Sequence, residues 1–264
     1  MAALACAGAL AGCMSLAEKR DALPTRNAIV FDQLVVNSDF PLPKHDRMLA
    51  DLRVLRGDVM ERLNLEASNE PIHVYLFDNE DRFRSFLAQH HPEFPARRAF
   101  FVESDARLAV YAQWGDRVAE DLRHEVTHGY LHSVVHDIPL WIDEGIAEYF
   151  EVPRSDVGLN RPHISLLLTR LDRNEWKPNL ARLEHLQDAG DMAQEDYAEA
   201  WAWTQWLLDT EPRRRELLQN YLQAVRKAGS AEPLSTTIEQ IDPGAAQLLV
   251  AHLQSLRPAL AAQR

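Results

Sequence analysis

Two histidines and a glutamate lie within one pentapeptide near the middle of the chain. His124, Glu125 and His128 form the pattern H-E-x-x-H. Residues four apart share one face of an α-helix, so both imidazoles can reach a single metal ion while Glu125 projects beside them. On a helix this pattern is typical of a zinc site in which the glutamate acts on a water molecule as a general base. Apolar residues that recur every four positions over 118–130 support the helix.

A third ligand for such a site must come from elsewhere, because a catalytic zinc ion takes three protein ligands and keeps one position open. The stretch PLWIDEGIAEYF over 139–150 predicts a second helix that begins near Asp143. Glu144 and Glu148 lie one turn apart on this helix, which is otherwise mostly apolar and therefore expected to be buried. A buried carboxylate is costly unless it is paired or bound to a metal. Glu144 is therefore the candidate third ligand.

The two motifs together, H-E-x-x-H followed by W-x-x-E-G-x-A-E-Y, resemble the gluzincin branch of the zinc metallopeptidases. The likeness is greatest to peptidase MA-like domains, which are often found in exported bacterial proteins. It extends from the strand near Val35 to the helix at Tyr197. The resemblance implies one zinc ion per chain and these roles: zinc ligation by His124, His128 and Glu144, and general base catalysis by Glu125.

The resemblance also implies helper residues around the zinc. Glu148 matches a second acid that orients a ligand histidine in some relatives. Tyr197 is the candidate donor to the oxyanion of the transition state; a core tyrosine packed with Trp201 is its alternative, and Tyr149 is a second candidate. In zincins an edge strand pairs with extended substrate, and an ordinary sheet strand is the alternative reading here. The residues expected in that substrate-binding edge strand are Arg107, Leu108, Ala109, Val110 and Tyr111.

Composition and element order predict the fold class. The chain has 264 residues, of which 46% are hydrophobic and 26% charged, as in an ordinary soluble globular protein. Strand and helix patterns alternate first and only helices follow, which predicts an α+β fold. The resemblance makes this a zincin-like domain over 27–264, with a small mixed sheet and the H-E-x-x-H helix in a lobe at 27–136 and a mostly helical lobe at 137–264. The net charge of −12 disfavours nucleic acid as a partner.

The N-terminal residues predict a signal for export and a lipid anchor. Cys6 and Cys13 are the only cysteines, so a cysteine-based zinc site in the folded domain is excluded. The uncharged run from Met1 ends in L-A-G-C, which resembles the bacterial lipobox. This predicts a signal peptide at 1–12, a lipid such as palmitate on Cys13, and a tether at 13–26. Met14 in place of an aspartate favours the periplasmic face of the outer membrane over the inner membrane. A small-residue N-terminus with an accidental cysteine is the alternative.

The expected function is zinc-dependent hydrolysis of peptide bonds in a peptide or protein substrate. A G-x-M-E-N-like stretch, the amine anchor of related aminopeptidases, is not found upstream of His124, so an endopeptidase is favoured. Three alternatives stay open. The protein could be a non-catalytic zinc-binding lipoprotein that serves as an interaction module, a hydrolase of cell-wall peptide amides, or a helical binding domain in which the motif arose by chance.

Overall fold

The computed structural model describes residues 22–42, 47–92 and 97–261. Cys13 and the predicted signal peptide lie outside these residues. The strands are β1 (Asn27–Phe31), β2 (Leu34–Ser38), β3 (Ile72–Phe77), β4 (Ala99–Ser104) and β5 (Arg107–Gln113). The helices are α1 (Arg47–Leu63), α2 (Glu80–His90), α3 (Val118–His132), α4 (Leu140–Phe150), α5 (Arg161–Asp172), α6 (Leu180–Leu183), α7 (Gln194–Asp209), α8 (Pro212–Ala228), α9 (Leu234–Ile241), α10 (Ala245–Ser255) and α11 (Arg257–Ala261).

The five strands form one mixed sheet in the order β1-β2-β3-β5-β4. The two outer pairs, β1–β2 and β4–β5, are antiparallel, whereas β2–β3 and β3–β5 are parallel. Every strand precedes residue 114, and the described elements after it are helical. The predicted α+β class, with a mixed sheet and a mostly helical C-terminal part, is confirmed.

The predicted edge strand is wrong. The residues Arg107, Leu108, Ala109, Val110 and Tyr111 belong to β5, which pairs with β3 on one side and with β4 on the other. Its backbone groups are therefore used within the sheet and cannot bind a peptide. The edge strand next to the H-E-x-x-H helix is β4 instead. A signal was present in the sequence, because a continuous apolar run such as LAVYA is typical of a central strand buried on both faces.

The sheet separates two apolar layers. One face packs with α1 and α3 in the large core, which includes Val74, Val110 and Leu122. The other face packs with α2 in a smaller, mainly aromatic cluster around Phe77 and Tyr111. In the large core, the buried Tyr130 of α3 donates a hydrogen bond to the carbonyl of Leu52 in α1 at 2.9 Å. This contact links α3 to α1 and so helps to fix the orientation of the H-E-x-x-H face of α3.

Helices α4 and α7 approach closely at a glycine. A Cβ atom built on Gly145 would lie 2.6 Å from the carbonyl oxygen of Ala200 and would also overlap the hydroxyl of Thr204. Because a backbone carbonyl cannot rotate away, only glycine allows this approach. It brings α4, and with it Glu144, into the core of the helical part. Within the described residues, no helix is both long and apolar enough to cross a membrane.

We expect Gly145→Ala to lower the free energy of unfolding by about 1–3 kcal/mol, as overpacking of a core does. Gly57→Ala in α1 is the matched control, since a Cβ there meets no atom within 4 Å. This control should be neutral or stabilising by up to about 1 kcal/mol, because alanine is the better helix former. Urea denaturation of the three proteins measures both effects. A Gly145→Ala protein as stable as the wild type would contradict the close approach.

Candidate metal centre

A hydrogen bond links the two helices that carry the predicted ligands. His124, Glu125 and His128 lie on α3, and α4 begins after Pro139, slightly earlier than the predicted start near Asp143. Arg123 on α3 donates to the backbone carbonyl of Glu151, the residue that follows α4, at 2.5 Å. The histidine face of α3 is thereby set against the glutamate face of α4.

The three predicted ligands converge on one point. His124 Nε2 and His128 Nε2 lie 3.2 Å apart. Glu144 Oε2 lies 3.4 Å from His124 Nε2 and 3.7 Å from His128 Nε2. His128 and Glu144 are buried, while His124 is half-buried and borders a cleft. Two helices separated in sequence therefore bring together the ligand set that was predicted.

Carboxylates on the far side of each imidazole determine which nitrogen faces the centre. Asp143 Oδ1 lies 2.8 Å from His128 Nδ1, and Glu151 Oε2 lies 3.2 Å from His124 Nδ1. A neutral imidazole that donates Nδ1–H to a carboxylate keeps its lone pair on Nε2. Glu144 Oε2 is buried and has no hydrogen-bond partner in the described part of the chain. When both rings are neutral, three lone pairs therefore point at one another, and this arrangement is stabilised by a metal cation or a proton between them.

The spacing of these atoms fits zinc. Ligand atoms about 2.0–2.1 Å from a zinc ion at tetrahedral angles lie about 3.3 Å from one another. The three separations, 3.2, 3.4 and 3.7 Å, lie close to that value. The described residues therefore contain a histidine and carboxylate group close enough to bind a metal ion.

The local electrostatics also favour positive charge. Burial alone would lower the pKa of His124, but Glu144 and Glu151 raise it well above its usual value. Burial likewise opposes protonation of His128, and Asp143 raises the pKa of that ring above normal. Burial raises the pKa of Glu125, while His124 and His128 act against the rise. A metal cation between the two rings would supply the positive charge that a bound proton otherwise supplies.

A second row of charged groups extends from the centre to the edge of the sheet. Asp143 Oδ2 lies 3.0 Å from His132 Nε2, and His132 Nδ1 lies 2.6 Å from Glu103 Oε2 on β4. Burial disfavours the charged form of His132, but Asp143 and Glu103 raise its pKa to about 10. Glu103 also contacts His136 at 3.1 Å. This row ties β4 to both ligand-bearing helices, and sequence analysis missed it because Glu103 is remote in the chain.

Glu148 does not make the contact that was predicted for it. Its Oε2 lies 2.7 Å from His163 Nε2 and accepts a hydrogen bond from Asn160 at 3.3 Å. The carboxylate hydrogen-bonded to His124 is that of Glu151, which no motif had singled out. Glu151 lies three residues beyond Glu148, directly after α4, and from that position its carboxylate contacts the His124 ring. A further group of residues close enough to hold a metal ion, His124, Glu148 and Glu151, nevertheless lies beside the first one, with the candidate ligand atoms within 4.8 Å of one another.

The centre opens into a cleft of about 700 Å³. Glu125 and Tyr197 line it together with His124 and Glu144, and the start of β4 at Ala99 forms part of its wall. The Tyr197 hydroxyl donates to the carbonyl of Ala189 at 3.3 Å. Burial and the charge of Glu144 raise the pKa of Tyr197. The cleft therefore brings together the Tyr197 phenol, the Glu125 carboxylate and two of the candidate ligands, His124 and Glu144.

Two other predicted participants lie elsewhere. Tyr149, the second candidate for the oxyanion donor, is directed at Asp209, to which its hydroxyl donates at 3.0 Å. Strand β5 does not line the cleft: its Tyr111 packs in the aromatic layer and its Arg107 contacts the hydroxyl of Tyr75 at 3.1 Å.

Residues 118–234 match a protein family described as "Protein of unknown function (DUF1570)". The matched stretch begins with α3 and ends at the start of α9, so it includes the candidate ligands, Glu125 and Tyr197 but no strand of the sheet. No curated protein matches the chain.

Proposed function

We propose that this protein is a zinc-dependent peptidase of zincin-like architecture. The observation that supports it best is the convergence of three candidate ligand atoms, His124 Nε2, His128 Nε2 and Glu144 Oε2, beside an open cleft that His124 and Glu144 line. A structural site would need no neighbouring base, whereas Glu125 lies beside these ligands and faces the same cleft.

The residues fit the steps of amide hydrolysis. His124, His128 and Glu144 would hold the zinc ion, which when bound polarises the scissile carbonyl and the attacking water as a Lewis acid. The carboxylate of Glu125 takes one proton from that water as its oxygen bonds to the carbonyl carbon. Glu125 then gives the proton to the leaving nitrogen as the C–N bond breaks.

Tyr197 is the proposed donor to the oxyanion. Tyr197 lines the cleft, and its hydroxyl donates to the backbone carbonyl of Ala189 and contacts the side chain of Arg97. Exchanging that acceptor for the developing oxyanion costs one neutral hydrogen bond and gains one to a charged oxygen, which is the stronger of the two.

Strand β4 is proposed to bind the substrate backbone, in place of β5. The carbonyl of Arg98 accepts from Gln113 N–H at 2.9 Å, so every second residue of β4 after Arg98 faces β5. The N–H and C=O groups of Ala99, Phe101 and Glu103 therefore point away from the sheet. An extended peptide can pair with them as an added strand.

The substrate class and location remain parts of this proposal. An edge strand that binds backbone suits an internal stretch of a peptide or protein, which agrees with an endopeptidase. Cys13 is proposed to carry the lipid that anchors the protein in a bacterial cell envelope, at the periplasmic face of the outer membrane.

The test uses the purified chain with and without its metal. We expect about one zinc per chain by elemental analysis, and cleavage of unfolded protein or a mixed peptide library that a chelator abolishes and zinc restores. Zinc without turnover on proteins, peptides or cell-wall peptides would replace the proposal with an interaction module. Absence of bound metal at saturating zinc would overturn it.

A further inference from the structure

Four of the described residues that line the cleft are arginines, and three of these are paired with carboxylates. Arg98 donates to both carboxylate oxygens of Asp121, Arg117 pairs with Glu120, and Arg161 pairs with Asp156 at 3.0 Å. The side chain of Arg97 contacts the Tyr197 hydroxyl, which is a neutral group. Within the described residues no carboxylate forms an ion pair with Arg97, so its positive charge can bind an anion that enters the cleft.

Arg97 lies where the reacting groups of the proposed site are found. It is half-buried and directly precedes the segment that leads into β4. Arg97 lines the same cleft as Glu125 and Tyr197, and its side chain contacts the Tyr197 hydroxyl. A ligand held by Arg97 would therefore lie beside the proposed base and the proposed oxyanion donor.

The direction of β4 tells which part of a substrate reaches Arg97. β4 runs from Ala99 to Ser104 and is antiparallel to β5. A peptide added antiparallel to β4 has its amino-terminal part beside Ser104 and its carboxyl-terminal part beside Ala99. The Phe101 ring of β4 stacks on the His128 ring, so the candidate metal centre lies beside Phe101. Because Arg97 precedes Ala99, it faces the portion on the carboxyl side of the scissile bond, which is the portion released with the new amine.

We propose that Arg97 binds a substrate carboxylate on the leaving-group side of the scissile bond. This inference rests on the proposed function and narrows its substrate class to peptides that are anionic on that side. A guanidinium is suited to the task because it offers parallel N–H donors to the two oxygens of a carboxylate. The carboxylate belongs either to an aspartate or glutamate side chain or to the C-terminus of the substrate.

Matched peptides distinguish these two sources. One pair differs only in Glu against Gln at the positions after the scissile bond, and the other pair differs only in a free against an amidated C-terminus. In the wild-type protein, kcat/KM should be higher for the anionic member of at least one pair by about tenfold or more, as a hydrogen bond to a charged group provides. The pair that shows this preference identifies the source.

Variants assign the preference to one residue. In Arg97→Gln the anionic-to-neutral ratio of kcat/KM should fall close to one, and Arg97→Lys should keep part of it. Arg117→Gln is the matched control, since that arginine lines the same cleft but is paired with Glu120, and it should keep the wild-type ratio. A wild-type ratio near one, or a ratio that survives in Arg97→Gln, would overturn the proposal.

Binding measurements test the Arg97 proposal independently of the peptidase proposal. The same peptides are titrated by calorimetry into zinc-loaded Glu125→Gln protein, with and without Arg97→Gln. A preference in Kd for the anionic peptide that depends on Arg97 supports the anion site even if the wild type cleaves nothing, a result that would remove the peptidase proposal alone. Equal Kd values for both members of each pair would remove the Arg97 proposal and leave the peptidase proposal standing.

Discussion

The Glu125→Gln variant should retain one zinc ion per chain and hydrolyse peptides about a hundred to ten thousand times more slowly than the wild type. The amide has the shape of the carboxylate but cannot take a proton from the attacking water, and general base catalysis contributes about that much to a rate. Since Glu125 is not among the three convergent atoms, its replacement leaves His124, His128 and Glu144 in place. The measurement combines elemental analysis of zinc with kcat on a peptide found in the library screen.

Glu120→Gln is the control for this experiment. Glu120 lies on the same helix and lines the same cleft, but its partner is Arg117 and not a candidate ligand. This variant should retain both zinc and activity. Wild-type activity in Glu125→Gln would exclude the proposed mechanism, whereas loss of zinc would mean that Glu125 helps to bind the metal.

The second large effect concerns the carboxylate ligand. Glu144→Ala should weaken zinc binding by more than about a hundredfold, because loss of an outer partner of a ligand already costs about 10–100-fold. The variant removes the only anionic member of the convergent group. Competition with a chromogenic chelator measures the Kd for zinc. The rise in melting temperature on adding zinc should also shrink, since a ligand stabilises the folded state according to its affinity.

Glu148→Ala is the control that distinguishes the proposed ligand, Glu144, from a neighbouring buried carboxylate. Glu148 is buried one turn further along α4 and hydrogen-bonds to His163. Its replacement should change the Kd for zinc far less than Glu144→Ala does. If Glu148→Ala lost zinc while Glu144→Ala retained it, the ion would belong to the neighbouring group of His124, Glu148 and Glu151, and the ligand assignment would be wrong.

The parts of the candidate site that depend on one helix were predictable. The common face of His124 and His128 follows from the period of the α-helix, and the apolar repeat around them identified the helix. Glu144 was predictable for a different reason: burial makes an unpaired carboxylate costly, so its presence in an apolar helix indicates a partner. The structure brings these three residues together, while their roles as ligands stay predictions.

The parts that depend on contacts between distant segments were not predictable. Glu151 at His124 and Glu103 at His132 join residues from different elements, and no spacing in the chain predicts which of several carboxylates reaches a given ring. The role predicted for Glu148 came from the resemblance, which matches it to a second acid in some relatives, and no motif included Glu151.

The predicted edge strand shows most clearly that contacts between distant segments were not predictable. The apolar run in β5 predicted a strand correctly, but its place in the sheet depends on pairing with β3 and β4. By itself the amino-acid sequence determined which residues form the H-E-x-x-H helix, the class of the fold and the chemistry that its side chains can support, because these follow from local periodicity and from the cost of burying charge. Only the tertiary structure decided that β4 borders the cleft, that no carboxylate of the described residues pairs with Arg97, and which acids contact the histidines, because those properties arise from packing between segments far apart in the chain.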